Sequence, residues 1–251
     1  MMKTTLLRAA TLPAVLLLVV YLAGCAPTPP LRSYEEPPMH TLAEFDDEKI
    51  AHVDDPWERF NRRMYTFNYT LDQYLFLPVV DAYEFVTPKF VQTGVSNFFK
   101  NIGEICTLYN SVLQLRGKKA ATTTGRFLIN STIGLAGLFD PATSMGLKRQ
   151  NEDFGQTLGH WGVDTGPYLV LPALGPATLR GAGGIAVDTS VHIPLIDEVD
   201  LDSQVELGMD TVKGVDKRHD QSFRYYQSGY PFEYSVVRFV TRKKTELAVI
   251  K

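Results

Sequence analysis

The 251-residue sequence predicts an all-α fold, and three observations carry that prediction. Apolar residues recur at spacings of three and four through most of the chain, the period of one helix face and not the alternation of a strand. Helix-start signals precede these runs, at Asp55-Pro56-Trp57-Glu58 and at Thr87-Pro88. No two alternating runs bracket a hairpin turn.

Taken in order, residues 1–24 read as a secretory leader. Lys3 and Arg8 form a positive n-region, and residues 9–22 are a nearly unbroken apolar core. Leu22-Ala23-Gly24-Cys25 then resembles the bacterial lipobox. That resemblance implies cleavage before Cys25 and acyl chains on Cys25, with no other cofactor expected. Ala26 stands where Gram-negative lipoproteins retained at the inner membrane carry aspartate, which implies the outer membrane. One acyl chain binds a bilayer only marginally, at ~0.8 kcal/mol per buried methylene, whereas the three chains of such lipoproteins anchor permanently. Cleavage leaves 227 residues, enough for one large domain, and moves the formal charge from −3 to −5. An acidic balance argues against a nucleic-acid partner. Cys106 is then the remaining thiol, without a disulfide partner and expected as a small buried hydrophobe.

Residues 25–54 read as a disordered tether, with Pro27, Pro29, Pro30, Pro37 and Pro38 among seven acids. Treated as coil it spans roughly 30 Å, so the domain of residues 55–251 can stand off the bilayer. In the first helix Asp55 suits an N-cap, Pro56 N1, and Glu58 the returning acid of a capping box. Trp57, Phe60, Met64, Phe67, Leu71 and Tyr74 make its apolar face, and Leu77-Pro78 is expected to end it. Phe60 is expected in the core, where truncation to alanine would cost about 3–5 kcal/mol.

A second helix follows Thr87-Pro88, with Val91, Val95, Phe98 and Ile102 on one face. A stripe of Ile105, Cys106, Tyr109, Val112 and Leu113 runs on to Gly117. Residues 118–131 form another, with Ala120, Thr124, Phe127 and Leu128 inside. Val205, Met209 and Val212 mark a helix. Residues 232–250 mark the last, with Val236, Phe239 and Val240 inward and Arg238, Arg242, Lys243 and Lys244 outward. Two apolar stretches, 133–147 and 168–187, are broken by glycine and proline and are too interrupted for ordinary transmembrane helices. By residue content alone they favour buried loops of a water-soluble domain.

Catalytic signals are weak. The chain lacks a Gly-x-Ser-x-Gly elbow and a phosphate-binding loop of the Gly-x-x-x-x-Gly-Lys-Ser/Thr type. Gly181-Ala182-Gly183-Gly184 only loosely matches a dinucleotide fingerprint, and no βαβ unit surrounds it. The five histidines are not spaced as metal ligands, and the acidic run Asp197, Glu198, Asp200, Asp202 lacks a calcium-loop pattern. No metal and no enzymatic activity are therefore expected.

The most distinctive stretch is Phe154-Gly155-Gln156-Thr157-Leu158-Gly159-His160-Trp161-Gly162-Val163, continuing through Gly166-Pro167-Tyr168, Leu171-Pro172, Gly175-Pro176 and Arg180. With Asp55-Pro56-Trp57-Glu58, Phe60-Asn61-Arg62, Met64-Tyr65, Ser96-Asn97-Phe98 and residues 126–131, it resembles the MlaA/VacJ family of outer-membrane phospholipid-transport lipoproteins over roughly residues 54–240. Two departures stand out. Relatives commonly carry an acid directly after the equivalent of Arg180, where this chain has Gly181-Ala182, and the C-terminus here is short and basic.

The resemblance implies a ring-like multi-helix domain in the periplasmic leaflet of the outer membrane, around an amphipathic central channel. Phospholipid that has strayed into the outer leaflet would pass through it to a soluble periplasmic lipid carrier, and a trimeric porin would be a partner. It further implies a gate at residues 134–147, with Gly134, Gly137, Leu138 and Phe139. Phe154, Gly155, Thr157, Leu158, Gly159, Trp161, Tyr168 and Pro172 would be further channel or gate residues. The alternatives are a lipid-anchored structural scaffold for outer-membrane protein assembly, or an enzyme on lipid or cell wall.

Overall fold

The computed structural model describes residues 55–197, 203–227 and 232–250, without the side chains of 192–197 and 203. The leader, Cys25, the tether and Glu198, Asp200 and Asp202 lie outside the described residues, all of which fall in one compact unit, Leu42–Lys251. The helices are α1 (Glu58–Leu71), α2 (Leu77–Val86), α3 (Lys89–Leu113), α4 (Gly117–Thr132), α5 (Pro141–Ser144), α6 (Phe154–His160), α7 (Leu179–Asp197), α8 (Ser203–His219) and α9 (Glu233–Ile250). Strands β1 (Tyr168–Leu171) and β2 (Gly175–Thr178) precede α7. The fold is predominantly helical, as the period of the sequence predicts.

Two boundaries differ from expectation. Pro78 does not end the first helix: a π-helical turn, Asp72–Phe76, joins α1 to α2, and Leu77 N–H bonds back to Asp72 O. The wider turn places Pro78 in the first turn of α2, where a missing N–H is tolerated. The helical stripe expected to run on to Gly117 ends earlier, although α3 is unbroken for 25 residues. It stops at Gln114, and Leu115 turns the chain with φ +56°. Asp55 does not cap α1 by its side chain, because Asn61 Nδ2 (2.8 Å) and the Tyr234 hydroxyl occupy its carboxylate.

The larger correction concerns which face is buried. In α1 the buried side chains are Asn61, Tyr65 and Asn68, while Phe60 and Phe67 are 46% and 47% exposed, and in the π-helical turn Tyr74 is 77% exposed. In α3, Gln92, Ser96, Asn101, Glu104, Thr107, Asn110 and Ser111 point inward. In α4, Thr123, Arg126 and Asn130 are buried and Leu128 is exposed. In α9, Val240 faces out, while Arg238 lies inward beside Asp55 and over the Tyr234 ring. The helices stand where the period puts them, with their polar stripes inside. Phe60→Ala and Phe67→Ala should therefore change stability in detergent by no more than about 0.5 kcal/mol. Tyr65→Ala should cost about 3–5 kcal/mol, because Tyr65 is fully buried. Denaturant titration of the three variants checks the inversion, and a Phe60→Ala loss as large as that of Tyr65→Ala would contradict it.

The antiparallel hairpin β1–β2, with Tyr168 opposite Thr178 and Leu171 opposite Gly175, is absent from the sequence expectation. Its turn needs left-handed backbone at Ala173 (φ +61°) and Gly175 (φ +89°). The hairpin is held by α1. Asn61 donates to Tyr168 O (3.0 Å) and accepts from Val170 N (2.9 Å). Two turns on, Asn68 donates to Leu171 O (2.9 Å) and accepts from Ala173 N (2.8 Å). The two side-chain amides thus do for β1 what a third strand would, satisfying backbone groups that burial would otherwise leave unpaired. Tyr65, Tyr168, Val170 and Tyr234 close a small aromatic core beneath it.

Candidate functional site

The expected site residues fall into three places. The first is the crossing of α6 and α7. Gly155 is buried against α7, where a Cβ added at Gly184 would lie 2.3 Å from Gly155 N. A Cβ at Gly159 would meet Val249 Cγ2 at 2.5 Å and Arg180 at 2.8 Å, so α9 and the start of α7 also close on α6. Phe154 N–H donates to Asp188 Oδ2 (3.0 Å). Thr157 is buried, donating to Asn110 Oδ1 (2.7 Å) and accepting from Gln114 Nε2 (3.1 Å). Leu158 is half-buried, and its carbonyl accepts from Val163 N. Trp161 is 54% exposed, stands edge-on to Phe154 and donates its indole N–H to Leu113 O (3.3 Å).

Asp188 is the hub of this crossing and was not foreseen. It also accepts from the Tyr109 hydroxyl and from Asn110 Nδ2 (3.1 Å), so one carboxylate ties α3, α6 and α7 together. Burial, and then the Asp188 bond, push the Tyr109 phenol well above its ordinary range. Burial likewise pushes the Cys106 thiol up to about 11, which leaves it a poor nucleophile at neutral pH. Arg180 has no acidic partner among the described residues. It donates to the carbonyls of Val163 (2.7 Å) and Thr245 (3.1 Å) instead.

The second place is the stretch 134–147. Gly134 is packed so closely that a Cβ would meet Asn130 O at 2.4 Å and Phe139 O at 2.5 Å. Gly137 (φ +90°) presses on Asn101, and Asn97 donates to Leu138 O (3.2 Å). Leu135 (φ +51°), Leu138 and Phe139 project outward, 61%, 44% and 60% exposed. Its far end is fastened from α4. Arg126 donates to Glu104 Oε1 (2.9 Å), Asp140 Oδ2 (3.1 Å), Thr143 Oγ1 (3.0 Å) and Leu147 O (2.5 Å). Asn130 donates to Asp140 Oδ1 (3.0 Å) and accepts from Ala142 N (3.1 Å). The outward tip of this stretch is apolar and its inner end is bolted by charge.

The third place is the hairpin, where Tyr168 is part of the buried core and Pro172 sits exposed in the turn. Neither touches the α6–α7 crossing through any contact described above. Glu104, Asp140, Asn110 and Asp188 escaped sequence reasoning, and Arg126 stood there only within the family-like segment 126–131. For Glu104 and Asn110 the signal was the polar stripe Glu104, Thr107, Asn110, Ser111, Gln114, which is ordinarily read as a solvated face. Among the described residues no group of His, Cys, Asp or Glu is arranged to hold a metal, and no helix is long and apolar enough to cross a membrane.

Comparison with known proteins gives a consistent picture. The family model of the MlaA lipoprotein matches residues 53–247. The chain is 40% identical over 138 residues to the intermembrane phospholipid transport system lipoprotein MlaA of Escherichia coli, covering 53% of this chain and 55% of that one. It is 42% identical over 128 residues to a protein of Rickettsia prowazekii, covering 51% of each. The matched stretches thus span about half the length of these curated relatives. A solved structure described as the structural basis for maintenance of bacterial outer membrane lipid asymmetry superposes with a TM-score of 0.64 at 31% identity. The match covers 78% of this chain and 99% of that one.

Proposed function

The chain belongs to the MlaA lipoprotein family, and on that premise we propose that it removes mislocalised phospholipid from the outer leaflet of the outer membrane. The lipid passes through an amphipathic channel inside the domain and is handed to a soluble periplasmic carrier. The observation that carries the reading is the inverted burial of α1, α3 and α4, with apolar side chains outward and polar ones inward. In water such a surface would be covered or would aggregate. In a lipid leaflet it is the surface the solvent demands. Amphipathic helices that do not span lie in the plane of the interface with their apolar faces in acyl chains, which supports seating in one leaflet.

The inward stripe supports a polar path for the head group, while the tails stay in apolar surroundings. Pulling both tails into water would cost ~0.8 kcal/mol per exposed methylene, and this barrier is what such a passage lowers. No bond is broken in moving an intact lipid, so the role requires no enzyme chemistry. A trimeric porin is the proposed membrane partner, and acyl chains on Cys25 the proposed anchor.

Two experiments test this. In a strain lacking the gene, Cys25→Ser should leave the protein out of the outer membrane and fail to clear surface phospholipid, read by lipid A palmitoylation. Outer-membrane recovery with full clearance would remove the anchor from the proposal. Reduced porin levels in the same strain, with normal surface lipid, would instead favour a scaffold for outer-membrane assembly. The second concerns stretch 134–147, proposed as a gate. A disulfide joining Gly94→Cys to Leu138→Cys uses a position whose added Cβ lies 3.8 Å from Leu138 Cδ2. With Cys106→Ser to prevent mispairing, it should stop lipid clearance until reductant is added. A confirmed crosslink with wild-type clearance would make the stretch fixed packing.

A further inference from the structure

An apolar groove of about 380 Å³ lies between α3, α8 and the tip of stretch 134–147. Val95, Phe98 and Phe99 of α3 form one wall, Met209 and Val212 of α8 the other, and Leu138 closes a side. It differs from the polar interior described above, because it is built from the outward face of α3. On α8, Val205, Met209, Val212 and Asp216 recur at spacings of four, three and four, so one helix face runs from the groove into a carboxylate. Asp216 is only 5% exposed, and its Oδ1 has no hydrogen-bond partner. Around it, Lys100 Nζ lies 2.6 Å from Asp220 Oδ2, Ser96 donates to the same oxygen, and His219 stands 3.4 Å from Glu84. The groove is apolar along its length and ends in a cluster of both charge signs.

We infer that this groove holds one acyl chain of a phospholipid, with a zwitterionic head group at the Asp216–Lys100–Asp220 end. The inference rests on the phospholipid-transport reading and names a site for its substrate. Size decides between occupants. A helix about 10 Å across rises about 5.4 Å per turn, so each turn fills roughly 400 Å³ and the groove would take only one turn of a partner helix. Its volume is at the small end of ligand pockets, about 300–1,000 Å³, which suits a single chain and not a whole two-chain lipid. Charge decides the direction: among the described residues this end offers a zwitterion the Lys100 ammonium and Asp216 Oδ1, an oxygen without a hydrogen-bond partner.

The test uses the full acylated protein in native outer membrane. Gly208 lines the groove, and a Cβ added there meets nothing within 4 Å, so a large side chain enters free space without backbone strain. A benzophenone amino acid at Met209 should give, on illumination, an adduct with the mass of one phospholipid. The yield should decline through Gly208→Ala and Gly208→Leu and fall at least tenfold in Gly208→Phe, with the thermal midpoint unchanged or raised. Val212→Trp fills the same space from the next turn and should act alike. A protein adduct, no phospholipid adduct, or a yield indifferent to both filling variants would overturn the inference. If the wild-type chain clears surface phospholipid and Gly208→Phe clears it equally, the groove fails and the transport role stands. If the wild-type chain itself does not clear it, the transport reading falls first.

Discussion

Replacing Arg126 with alanine should destabilise the domain by about 3–5 kcal/mol, the cost of removing one partner from a buried ion pair. Arg126 and Glu104 have side chains 3% and 1% exposed, 2.9 Å apart. Without the guanidinium, Glu104 keeps among the described residues only Arg149 at 3.9 Å, while Leu147 O and Thr143 lose a donor. Arg126→Lys should recover little, because a single ammonium cannot reach four acceptors held in different directions. The acid limb should also change. Burial works against the Asp140 charge, but hydrogen bonds from Thr143, Asn130 and Arg126 outweigh it and hold the carboxyl down at about 2. A depressed carboxylate stabilises the fold above its ordinary value of about 4, and that stability is lost as pH falls toward 2. In Arg126→Ala this window should narrow, leaving a shallower loss of stability on acidification. Chemical denaturation at a series of pH values measures both effects. A variant within 1 kcal/mol of wild type would show that the charged bolt on stretch 134–147 is dispensable.

Gly184→Val should cost about 3 kcal/mol, at the upper end of overpacking effects. The added Cβ would lie 2.3 Å from Gly155 N and 2.6 Å from Gly155 Cα. These are backbone atoms, so no rotamer change relieves the contact, and α6 must move off α7. That movement pulls Phe154 N–H from Asp188 and Thr157 from Asn110, which couples the packing defect to the polar interior. Gly183→Ala, one residue away with nothing within 4 Å of its Cβ, should be neutral or slightly stabilising. Thermal melts of the pair separate the crossing from a general intolerance of α7 to substitution. Equal melting temperatures would refute the close approach.

The same glycines show how much of the site could be read in advance. Gly155 and Gly159 drew attention by their density; Gly155 proved to be a point of close backbone approach, and at Gly159 the side chains of Val249 and Arg180 close in. Their partners Gly184, Asp188 and Arg180 lie 20 to 35 residues further on, and no local pattern links them. The hairpin was missed for a related reason. Its strands are four residues each, its turn uses Ala173 in left-handed backbone, and the side chains that hold it belong to α1, more than a hundred residues earlier.

The sequence by itself determined where most helices lie, because a period of 3.6 is a local property and Pro88, Gly117 and the polar stripes are all in reach of it. It also determined family membership. It did not determine which side of each helix faces the protein. Phe60 and Asn61 are neighbours on opposite faces of α1, and periodicity says only that the faces differ. Which face turns inward depends on whether the surroundings are water or hydrocarbon, and on whether Asn61, Asn68, Asn110 and Arg126 find partners. Those partners are backbone amides of a distant hairpin, a carboxylate on α7 and the carbonyl of Leu147, and only the tertiary structure brings them together.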